Sequence, residues 1–391
     1  MKILQQLPLP ADARVLDHTS ELAQILDGSA AYFPVADTAP IAADVSDALG
    51  IGAPIRSDIS LVIATSGTTG IPKGAQHGPS SLAASAAATT DRLGGPGNWL
   101  LALSPTHIAG LQVLLRAYAA GLRPAVLDVH DGFDPDVFAA ALDGLDGPRR
   151  YTSLVPIQLR KVLDSPRATA ALESVDAVLV GGAATPTMLL RRAIDAGIPI
   201  IRTYGMSETA GGCVYDGIGL PGVSVDLLDP NPHGVGRVVL AGPMVAAGYR
   251  GLPDHPAFAS PGRFRTDDLG RIDDGVLHII GRADEAISSG GLTIVPQVVE
   301  TLIIEDSAVA DCAVVGLPDE RLGEKVVAFV VPSGRNRVDV NRIRGIVAER
   351  LGRYAAPREV IELSALPTRG PGKIDRRALR ERFSGTPERP L

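Results

Sequence analysis

The chain of 391 residues is 45% hydrophobic and 21% charged, and its 37 basic and 44 acidic residues give a net charge of −7. This length exceeds that of a typical single domain, so we expect two domains. An acidic chain without a dense basic tract is not typical of proteins that bind nucleic acid or an anionic membrane surface.

The sequence also argues against a membrane or secreted location. No apolar stretch approaches 18 residues, and the first residues lack a sustained apolar segment, so we predict neither a membrane span nor a secretory signal. Cys213 and Cys312 are too few for a disulfide framework and lack metal-ligand spacing. We therefore predict a cytoplasmic protein with structural thiols.

The segment most informative about chemistry is the loop TSGTTGIPKG at residues 65–74, which follows a short apolar run of buried-strand type. Its glycines let backbone N–H groups approach an anion, its hydroxyls donate hydrogen bonds, and Lys73 adds a positive charge. The spacing differs from the Walker P-loop, because Lys73 follows a proline and precedes a glycine. A plain Gly/Thr turn is the alternative. The predicted phosphate-binding residues are Thr65, Ser66, Gly67, Thr68, Thr69, Gly70 and Lys73, followed by a helix that Ser80 or Ser81 caps.

Short apolar runs then alternate with helix-length segments, which predicts α/β layering. The strand-like runs are Ala125–Leu127, Ala177–Val180 and Ile198–Ile201. The second run is followed by Gly181 and Gly182, and the third by YGMSET at residues 204–209. Ligands of open α/β sheets bind at the carboxyl ends of strands, so both segments are candidates for a binding site. Taken alone, Glu208 is better explained as a surface or helix-capping carboxylate than as a ligand-binding one.

The pattern changes after the strand-like run at 276–280. It restarts as helix 297–304, strands 309–315 and 326–331, helix 339–352 and strand 358–363, which predicts a small α+β domain. We expect an N-terminal domain at residues 1–282, a mobile C-terminal domain at 283–383 and a disordered tail at 384–391.

Three further segments stand out in this second half. They are RTDDLG at residues 265–270, GRADEAISSGG at 281–291 and PTRGPGKIDR at 367–376. On local grounds the Asp pair at 267–268 is explained equally well as a turn, and Lys373 is better explained as a solvated lysine in a Gly/Pro loop. Their order in the chain, together with the earlier segments, gives them more meaning than any one has alone.

All of these segments together resemble the signature motifs of the adenylate-forming superfamily, which comprises acyl-CoA synthetases, luciferases and adenylation domains of peptide synthetases. The resemblance implies a large layered N-terminal domain that binds ATP and the acyl group, and a small mobile C-terminal domain. The first recognisable family element comes at residues 26–34, so it also implies a shortened N-terminal region. Asp267 replaces a family glycine, and Ser288 replaces a family lysine.

The resemblance also implies roles for individual residues. In the Y-G-x-[ST]-E motif the ring lies against adenine, the hydroxyl contacts phosphate and the carboxylate holds Mg²⁺, which assigns these roles to Tyr204, Ser207 and Glu208. Gly181 and Gly182 would line the adenine and acyl pocket, Asp268 would bind the ribose hydroxyls, and Arg282 would reach the nucleotide. Asp284 would be the interdomain pivot, and Gly290 and Gly291 would border the CoA channel. Lys373 would be the catalytic lysine, acting with Lys73 and Glu208.

The implied reaction has two steps and uses ATP, Mg²⁺ and coenzyme A. A substrate carboxylate displaces pyrophosphate from ATP to form an acyl adenylate, and the CoA thiol then displaces AMP. Rotation of the small domain about Asp284 would separate the two steps.

Three segments narrow the resemblance to the actinobacterial o-succinylbenzoate:CoA ligases of menaquinone biosynthesis. They are NWLLAL at residues 98–103, HIAGL at 107–111 and SETAGGCVYDG at 207–217. This likeness places His107, Gly110, Gly211 and Gly212 around the acyl pocket, although a structural role explains His107 equally well. The second carboxylate of such a substrate needs a cationic or N–H-rich partner, for which Arg116, Arg202 and the backbone of residues 207–212 are candidates.

Two other functions stay open on sequence grounds. The chain could be a different acyl- or aryl-CoA ligase, or a stand-alone adenylation enzyme that loads a carrier protein. It could also be a non-catalytic nucleotide-binding protein, against which the presence of both Glu208 and Lys373 argues. The sequence leaves the oligomeric state open, with a homodimer as one option.

Overall fold

The computed structural model describes residues 1–38, 41–65, 73–334, 337–369 and 373–384, with the side chains of Arg369 and Lys373 excepted. The described chain forms two compact units, which are treated separately below. The first comprises residues 1–226 and 239–265, and the second comprises residues 227–238 and 266–391 as far as they are described.

Helices and strands are numbered in chain order over the described residues. The helices are α1 Thr19–Asp27, α2 Ala43–Leu49, α3 Pro79–Arg92, α4 Ile108–Ala119, α5 Pro135–Asp143, α6 Pro156–Leu163, α7 Pro166–Glu173, α8 Thr187–Asp195, α9 Pro296–Ile303, α10 Val340–Leu351 and α11 Arg376–Phe383. The strands up to residue 250 are β1 Lys2–Leu9, β2 Ala31–Ala36, β3 Pro54–Ile55, β4 Leu61–Ala64, β5 Gly74–His77, β6 Asn98–Leu101, β7 Ala125–Val126, β8 Arg150–Leu154, β9 Ala177–Val180, β10 Ile200–Met206, β11 Gly211–Tyr215, β12 Ile218–Gly219, β13 Ser224–Leu228, β14 Gly236–Ala241 and β15 Tyr249–Arg250. Those beyond are β16 Arg263–Asp273, β17 Val276–Arg282, β18 Ile287–Ser289, β19 Leu292–Ile294, β20 Val309–Asp319, β21 Gly323–Pro332, β22 Glu359–Glu362, β23 Thr368–Arg369 and β24 Lys373–Ile374.

The first unit contains two mixed sheets among its described residues. One has the order β15–β5–β4–β2–β1–β3, and the other has the order β12–β11–β10–β9–β8–β6–β7. In the second sheet β10, β9, β8, β6 and β7 are parallel to one another. All four residues of β9 are buried, as expected for a parallel strand covered on both faces. The carboxyl ends of these strands meet at one edge, which carries Gly181 and Gly182.

The second unit is built on a sheet of order β19–β18–β21–β20, with β22 parallel to β21. Alternate residues of β20 point to opposite faces, so Val314 belongs to a core shared with α9 and α10. Its neighbour Val315 belongs to a second core, which includes Leu379 of α11. Helices therefore cover both faces of a mainly antiparallel sheet.

These observations confirm the predicted fold class and most of the predicted elements. The run at 276–280 lies in β17, and the helices and strands expected between 297 and 363 correspond to α9, β20, β21, α10 and β22. No helix in the described part of the chain is long and apolar enough to span a membrane. Cys213 and Cys312 are free thiols, and burial raises the pKa of Cys213 to about 12.

The expected helix cap after the phosphate loop is wrong. Strand β5, which the sequence analysis missed, follows the loop and pairs antiparallel with β4. Helix α3 then begins at Pro79 with Gly78 as its N-cap, because proline at the first helical position needs no N–H partner. Ser81 is buried instead, where its hydroxyl contacts His77 Nδ1 at 3.2 Å and donates to the carbonyl of Gly78.

Candidate active site

The two ends of the predicted phosphate loop meet at the open end of the β4–β5 hairpin. The backbone N–H of Thr65 donates to the carbonyl oxygen of Lys73 over 2.8 Å, which closes the loop at its base. Ser66, Gly67, Thr68, Thr69 and Gly70 lie outside the described residues. The structure therefore gives the position of Lys73 relative to the rest of the first unit.

The segment Tyr204–Glu208 lies directly beside this hairpin. Strand β10 leaves its parallel pairing with β9 and pairs antiparallel with β11 from Thr203 onward, so Tyr204 lies in this extension. The Ser207 hydroxyl donates to the carbonyl of Ala64 over 3.0 Å, at the end of β4. His77 Nε2 donates to the carbonyl of Ser207 over 2.6 Å. Two hydrogen bonds thus attach the motif to both strands of the hairpin.

Glycines at this edge are required by close backbone contacts. A Cβ on Gly181 would lie 2.3 Å from Thr203 Oγ1, and Gly182 has φ = +80°. A Cβ on Gly205 would lie 2.1 Å from the carbonyl oxygen of Gly211. Larger side chains would push β10, which carries Tyr204, away from its neighbours β9 and β11.

Four side chains of the first unit form a connected cluster around the motif. The Tyr249 hydroxyl donates to Glu208 Oε1 over 2.6 Å, and both residues are buried. Lys73 Nζ lies 5.1 Å from the centre of the Tyr249 ring and 3.0 Å from His255 Nε2. The His255 ring packs edge-on against the same tyrosine, with centroids 4.8 Å apart. Tyr249 therefore contacts the Glu208 carboxylate through its hydroxyl, and Lys73 and His255 through its ring.

The donor set around Glu208 is compatible with Mg²⁺. No group of three His, Cys, Asp or Glu side chains suited to a metal occurs among the described residues. Mg²⁺ in nucleotide enzymes typically takes one or two protein carboxylates and completes its shell with phosphate oxygens and water. A single buried carboxylate, oriented by a tyrosine hydroxyl, fits that requirement.

In the second unit the structure brings Asp268, Arg282 and Asp284 together. Asp268 and Arg282 are paired across β16 and β17. The guanidinium donates two hydrogen bonds of 2.8 Å to the Asp284 carboxylate, and its Nη1 lies 3.4 Å from Asp268 Oδ1. Burial disfavours the charge of Arg282, but Asp284 and Asp268 outweigh it and raise the pKa of this arginine above its ordinary value.

The charge of Asp267, which departs from the family pattern, is balanced within the same unit. Its Oδ1 accepts from Arg237 Nη2, and its other oxygen lies 3.7 Å from Arg282. Arg237 also donates to the carbonyl of Thr266 over 2.8 Å. The extra carboxylate therefore has local cationic partners that offset its charge.

The segment carrying Lys373 is attached to the second unit by a buried ion cluster. Lys373 begins β24, whose partner is β23, and Arg376 follows three residues later. The Arg376 guanidinium contacts both Glu300 oxygens at 2.6 and 2.7 Å and lies 3.5 Å from Glu285. Burial disfavours the charge of Arg376, but Glu300 and Glu285 outweigh it and raise its pKa. The Lys373 side chain is outside the described part.

The predicted CoA-channel glycines form the turn between β18 and β19. Gly290 and Gly291 have φ values of +58° and +82°, which suit a tight hairpin turn. A Cβ on Gly290 would lie 2.5 Å from the Tyr354 ring, so this glycine is required by packing. Nothing lies within 4 Å of the Cβ position of Gly291 in the described structure.

The predicted acyl-pocket residues lie near the start of α4. His107 is exposed at the N-cap of this helix, and a Cβ on Gly110 would clash with the Ser104 carbonyl at 2.1 Å. Gly211 has φ = +93° and faces α4, its Cβ position lying 3.8 Å from Ile108 Cγ1. Gly212 borders an apolar cavity between α3 and β11, whose other lining residues include Ala84, Ala88 and Met244.

The two candidate arginines differ in environment. Arg202 is exposed and its Nε lies 3.6 Å from Asp216, so its charge already has a partner. Arg116 is buried against the Trp99 ring at 5.6 Å, and its Nε forms no hydrogen bond within the described chain. Of the two, Arg116 has the stronger requirement for an anionic partner.

Sequence reasoning missed four residues that support this site. They are His77, Tyr249, His255 and Arg376. A single histidine or tyrosine outside a motif gives no local signal, so His77, Tyr249 and His255 were not recognisable from the sequence. Arg376 was within a recognised segment, but its carboxylate partner Glu300 is 76 residues away.

The sequence matches the AMP-binding enzyme family over residues 8–250 and the AMP-binding enzyme C-terminal domain over residues 298–373. The first match covers more than half of the chain, so the chain belongs to the AMP-binding enzyme family. This confirms the resemblance to adenylate-forming enzymes. The roles of the individual site residues in this chain stay predictions.

Relatives narrow the comparison further. A probable 2-succinylbenzoate–CoA ligase from Mycobacterium tuberculosis is 52% identical over 86% of this chain and 88% of its own length. An indoleacetate–CoA ligase from Aromatoleum aromaticum is 34% identical over 82% of this chain and 66% of its own. The o-succinylbenzoate CoA synthetase of Bacillus subtilis, solved in complex with its acyl-adenylate intermediate, has a TM-score of 0.80 at 22% identity, covering 100% of this chain and 89% of that one. This structural likeness confirms the fold.

Proposed function

We propose that this protein is an ATP-dependent acid:CoA ligase that converts o-succinylbenzoate into o-succinylbenzoyl-CoA through an acyl adenylate, in menaquinone biosynthesis. The observation that carries the chemistry is the convergence of Lys73, Ser207 and Glu208 beside the closed base of the loop at 65–73. The 52% identity to the ligase of Mycobacterium tuberculosis supports the substrate. The free thiols and the need for ATP and CoA favour the cytoplasm.

In the first step the substrate carboxylate attacks the α-phosphate of ATP and pyrophosphate leaves. Lys73, Ser207 and the loop residues hold the polyphosphate. Gly181, Gly182 and Tyr204 form the adenine side, while Asp268 and Arg282 bind the ribose end. Glu208 would hold Mg²⁺, which would neutralise part of the polyphosphate charge.

Lys373 stabilises the negative charge that accumulates at the α-phosphate. An ammonium about 4 Å from that charge contributes on the order of 4 kcal/mol at an intermediate effective dielectric. In the second step AMP is a good leaving group from the mixed anhydride, so the CoA thiol attacks the acyl carbon directly. No nucleophile of the protein is needed. We place the boundary between the N-terminal domain and the mobile C-terminal domain at residues 282/283. Asp284 is the pivot of the rotation between the two steps, and Gly290 and Gly291 border the path of CoA.

The decisive experiment measures pyrophosphate release from ATP with o-succinylbenzoate beside a panel of benzoates, arylacetates and fatty acids, with and without CoA. Release with o-succinylbenzoate, completed by acyl-CoA formation, is the expected result. Activity confined to another acid would preserve the ligase chemistry and overturn the substrate. ATP binding without pyrophosphate release for any acid would support a non-catalytic nucleotide-binding protein.

The main alternative is that the protein is a CoA ligase for a different aromatic acid. The 34% identity to an indoleacetate–CoA ligase is compatible with a monocarboxylic aromatic acid. The buried guanidinium of Arg116 favours a dicarboxylic acid instead, because a buried cation is stabilised by an anionic partner. Transfer to a carrier protein without CoA would indicate an adenylation enzyme.

A further inference from the structure

The contact between Lys73 and His255 joins the side-chain nitrogens of two basic residues. The two side-chain nitrogens are 3.0 Å apart. His255 Nδ1 accepts a hydrogen bond from the backbone N–H of Ala257 over 3.2 Å. In the neutral ring the proton therefore resides on Nε2, which faces the Lys73 ammonium. An anionic oxygen within reach of both nitrogens would accept a hydrogen bond from each.

The position of His255 is determined by packing. Its ring lies edge-on to Tyr249, which also packs against Phe258 with centroids 5.0 Å apart. Phe258 in turn packs against Phe264 at 4.9 Å. This aromatic cluster holds the imidazole beside Lys73, so little ordering is required when a ligand binds.

The same tyrosine connects this donor pair to Glu208. Lys73 lies over one part of the Tyr249 ring, while the hydroxyl reaches Glu208 Oε1 at 2.6 Å. A polyphosphate bound here would have nitrogen donors on one side and the carboxylate proposed to hold Mg²⁺ on the other. A nucleotide monophosphate would lack the outer phosphate groups that such a pair contacts.

We propose that His255 is a polyphosphate-binding residue, which acts with Lys73 on the β- and γ-phosphates of ATP and on the pyrophosphate product. This inference rests on the proposed ligase function and adds a specific binding residue to it. A purely structural His255, which only supports Tyr249, is the competing explanation.

The test compares His255→Leu and His255→Gln with the wild type by calorimetric titration of ATP, inorganic pyrophosphate and AMP in the presence of Mg²⁺. A hydrogen bond to a charged group contributes about 10- to 100-fold in affinity. We expect His255→Leu to weaken ATP and pyrophosphate binding by about that factor and to leave AMP binding within about twofold. His255→Gln, whose amide retains a donor, should recover part of the loss. The exposed His130, changed to Gln, is the matched control.

Equal weakening of ATP and AMP, or unchanged pyrophosphate binding in His255→Leu, would overturn the assignment. Thermal unfolding of each variant separates a folding defect from a binding defect, and the Gln variant keeps the comparison valid if the Leu variant is unstable. Pyrophosphate release that the wild type shows only when a carboxylic acid substrate is added tests the proposed function independently. A wild type that binds ATP but activates no acid would refute the ligase while leaving the His255 comparison measurable. A wild type that binds neither ATP nor pyrophosphate would overturn both.

Discussion

At the scale of single residues, the site depends on side chains that hold the motif residues in place. His77 is fully buried, and burial lowers its pKa to about 4. The neutral ring donates to the Ser207 carbonyl and contacts the Ser81 hydroxyl. Its protonation would place a charge in the interior beside the motif.

This environment predicts a pH dependence of stability. The unfolded chain binds a proton at His77 near pH 6.5 and the folded chain only near pH 4, so stability is complete above 6.5 and falls as the pH is lowered. Between pH 7 and 5 the free energy of unfolding should decrease by about 2 kcal/mol from this residue. When the free energy of unfolding is measured with urea, His77→Gln should lack this part of the decrease. The control variant His130→Gln should retain it. The prediction would be contradicted if the free energy of unfolding changed with pH to the same extent in the wild type and in His77→Gln.

Tyr249 orients the carboxylate that we propose holds Mg²⁺. Removing a group that hydrogen-bonds to a metal ligand typically costs about 10- to 100-fold in metal affinity. Tyr249→Phe should therefore require correspondingly more Mg²⁺ for ATP binding, measured by calorimetry at graded Mg²⁺ concentrations. Tyr118→Phe, which changes a hydroxyl that contacts Thr19 at 3.3 Å, is the control. An unchanged Mg²⁺ requirement would remove Tyr249 from this role.

Lys373 is predicted to act on the transition state. Lys373→Ala should reduce adenylation by at least about 10²-fold, comparable to the loss of one oxyanion donor in other enzymes, with much less effect on ATP affinity. Single-turnover pyrophosphate release and ATP titration separate the two quantities. Near-normal adenylation in this variant would refute the assigned role.

At the scale of elements, the described structure attaches α11 and the preceding β24 to the sheet of the second unit by two means. Leu379 and Phe383 pack in the core around Phe329. Arg376, at the start of the helix, binds the buried carboxylate of Glu300 on α9. The backbone at Lys373 is thus placed by contacts to a distant helix, although local sequence marks only a Gly/Pro loop.

Breaking the ion cluster should destabilise the second unit. Arg376→Met leaves Glu300 and Glu285 without their buried cation, a change that typically costs about 3–5 kcal/mol. Arg377→Met, in the same helix, removes only an exposed pair with Glu381 and should change the free energy of unfolding far less than Arg376→Met does. Urea unfolding followed by probes in each unit measures both. Equal stability of the two variants would show that the cluster contributes little.

At the scale of the whole molecule, the proposed two-step reaction requires a hinge, which we place at Asp284, inside the second unit and beyond the division between the two units at residues 265 and 266. Asp284 lies in a short turn between β17 and β18 and accepts two hydrogen bonds from Arg282. Its backbone dihedrals would have to change if the turn acts as a pivot, and a few such residues suffice for a hinge motion.

Asp284→Pro tests this pivot. Proline fixes φ near −65°, so one half-reaction should persist while the other fails. Asp284→Ala, which removes the carboxylate but not the backbone freedom, should keep both half-reactions coupled. Adenylation and thioester formation are measured separately, the second from chemically prepared acyl adenylate. Equal loss of both half-reactions in the proline variant would count against Asp284 as pivot.

The sequence by itself determined the family, the types of most elements and the motif residues Tyr204, Ser207 and Glu208, because those signals lie in short contiguous segments with restrictive spacing. It did not predict strand β5 or the true N-cap of α3, because a four-residue strand of small and polar residues has no apolar alternation. Only the tertiary structure showed that His77, Tyr249 and His255 surround the motif, since their contacts with Ser207, Glu208 and Lys73 join residues 41 to 182 positions apart. Such pairings depend on how strands are ordered in a sheet, and local periodicity carries no information about that order.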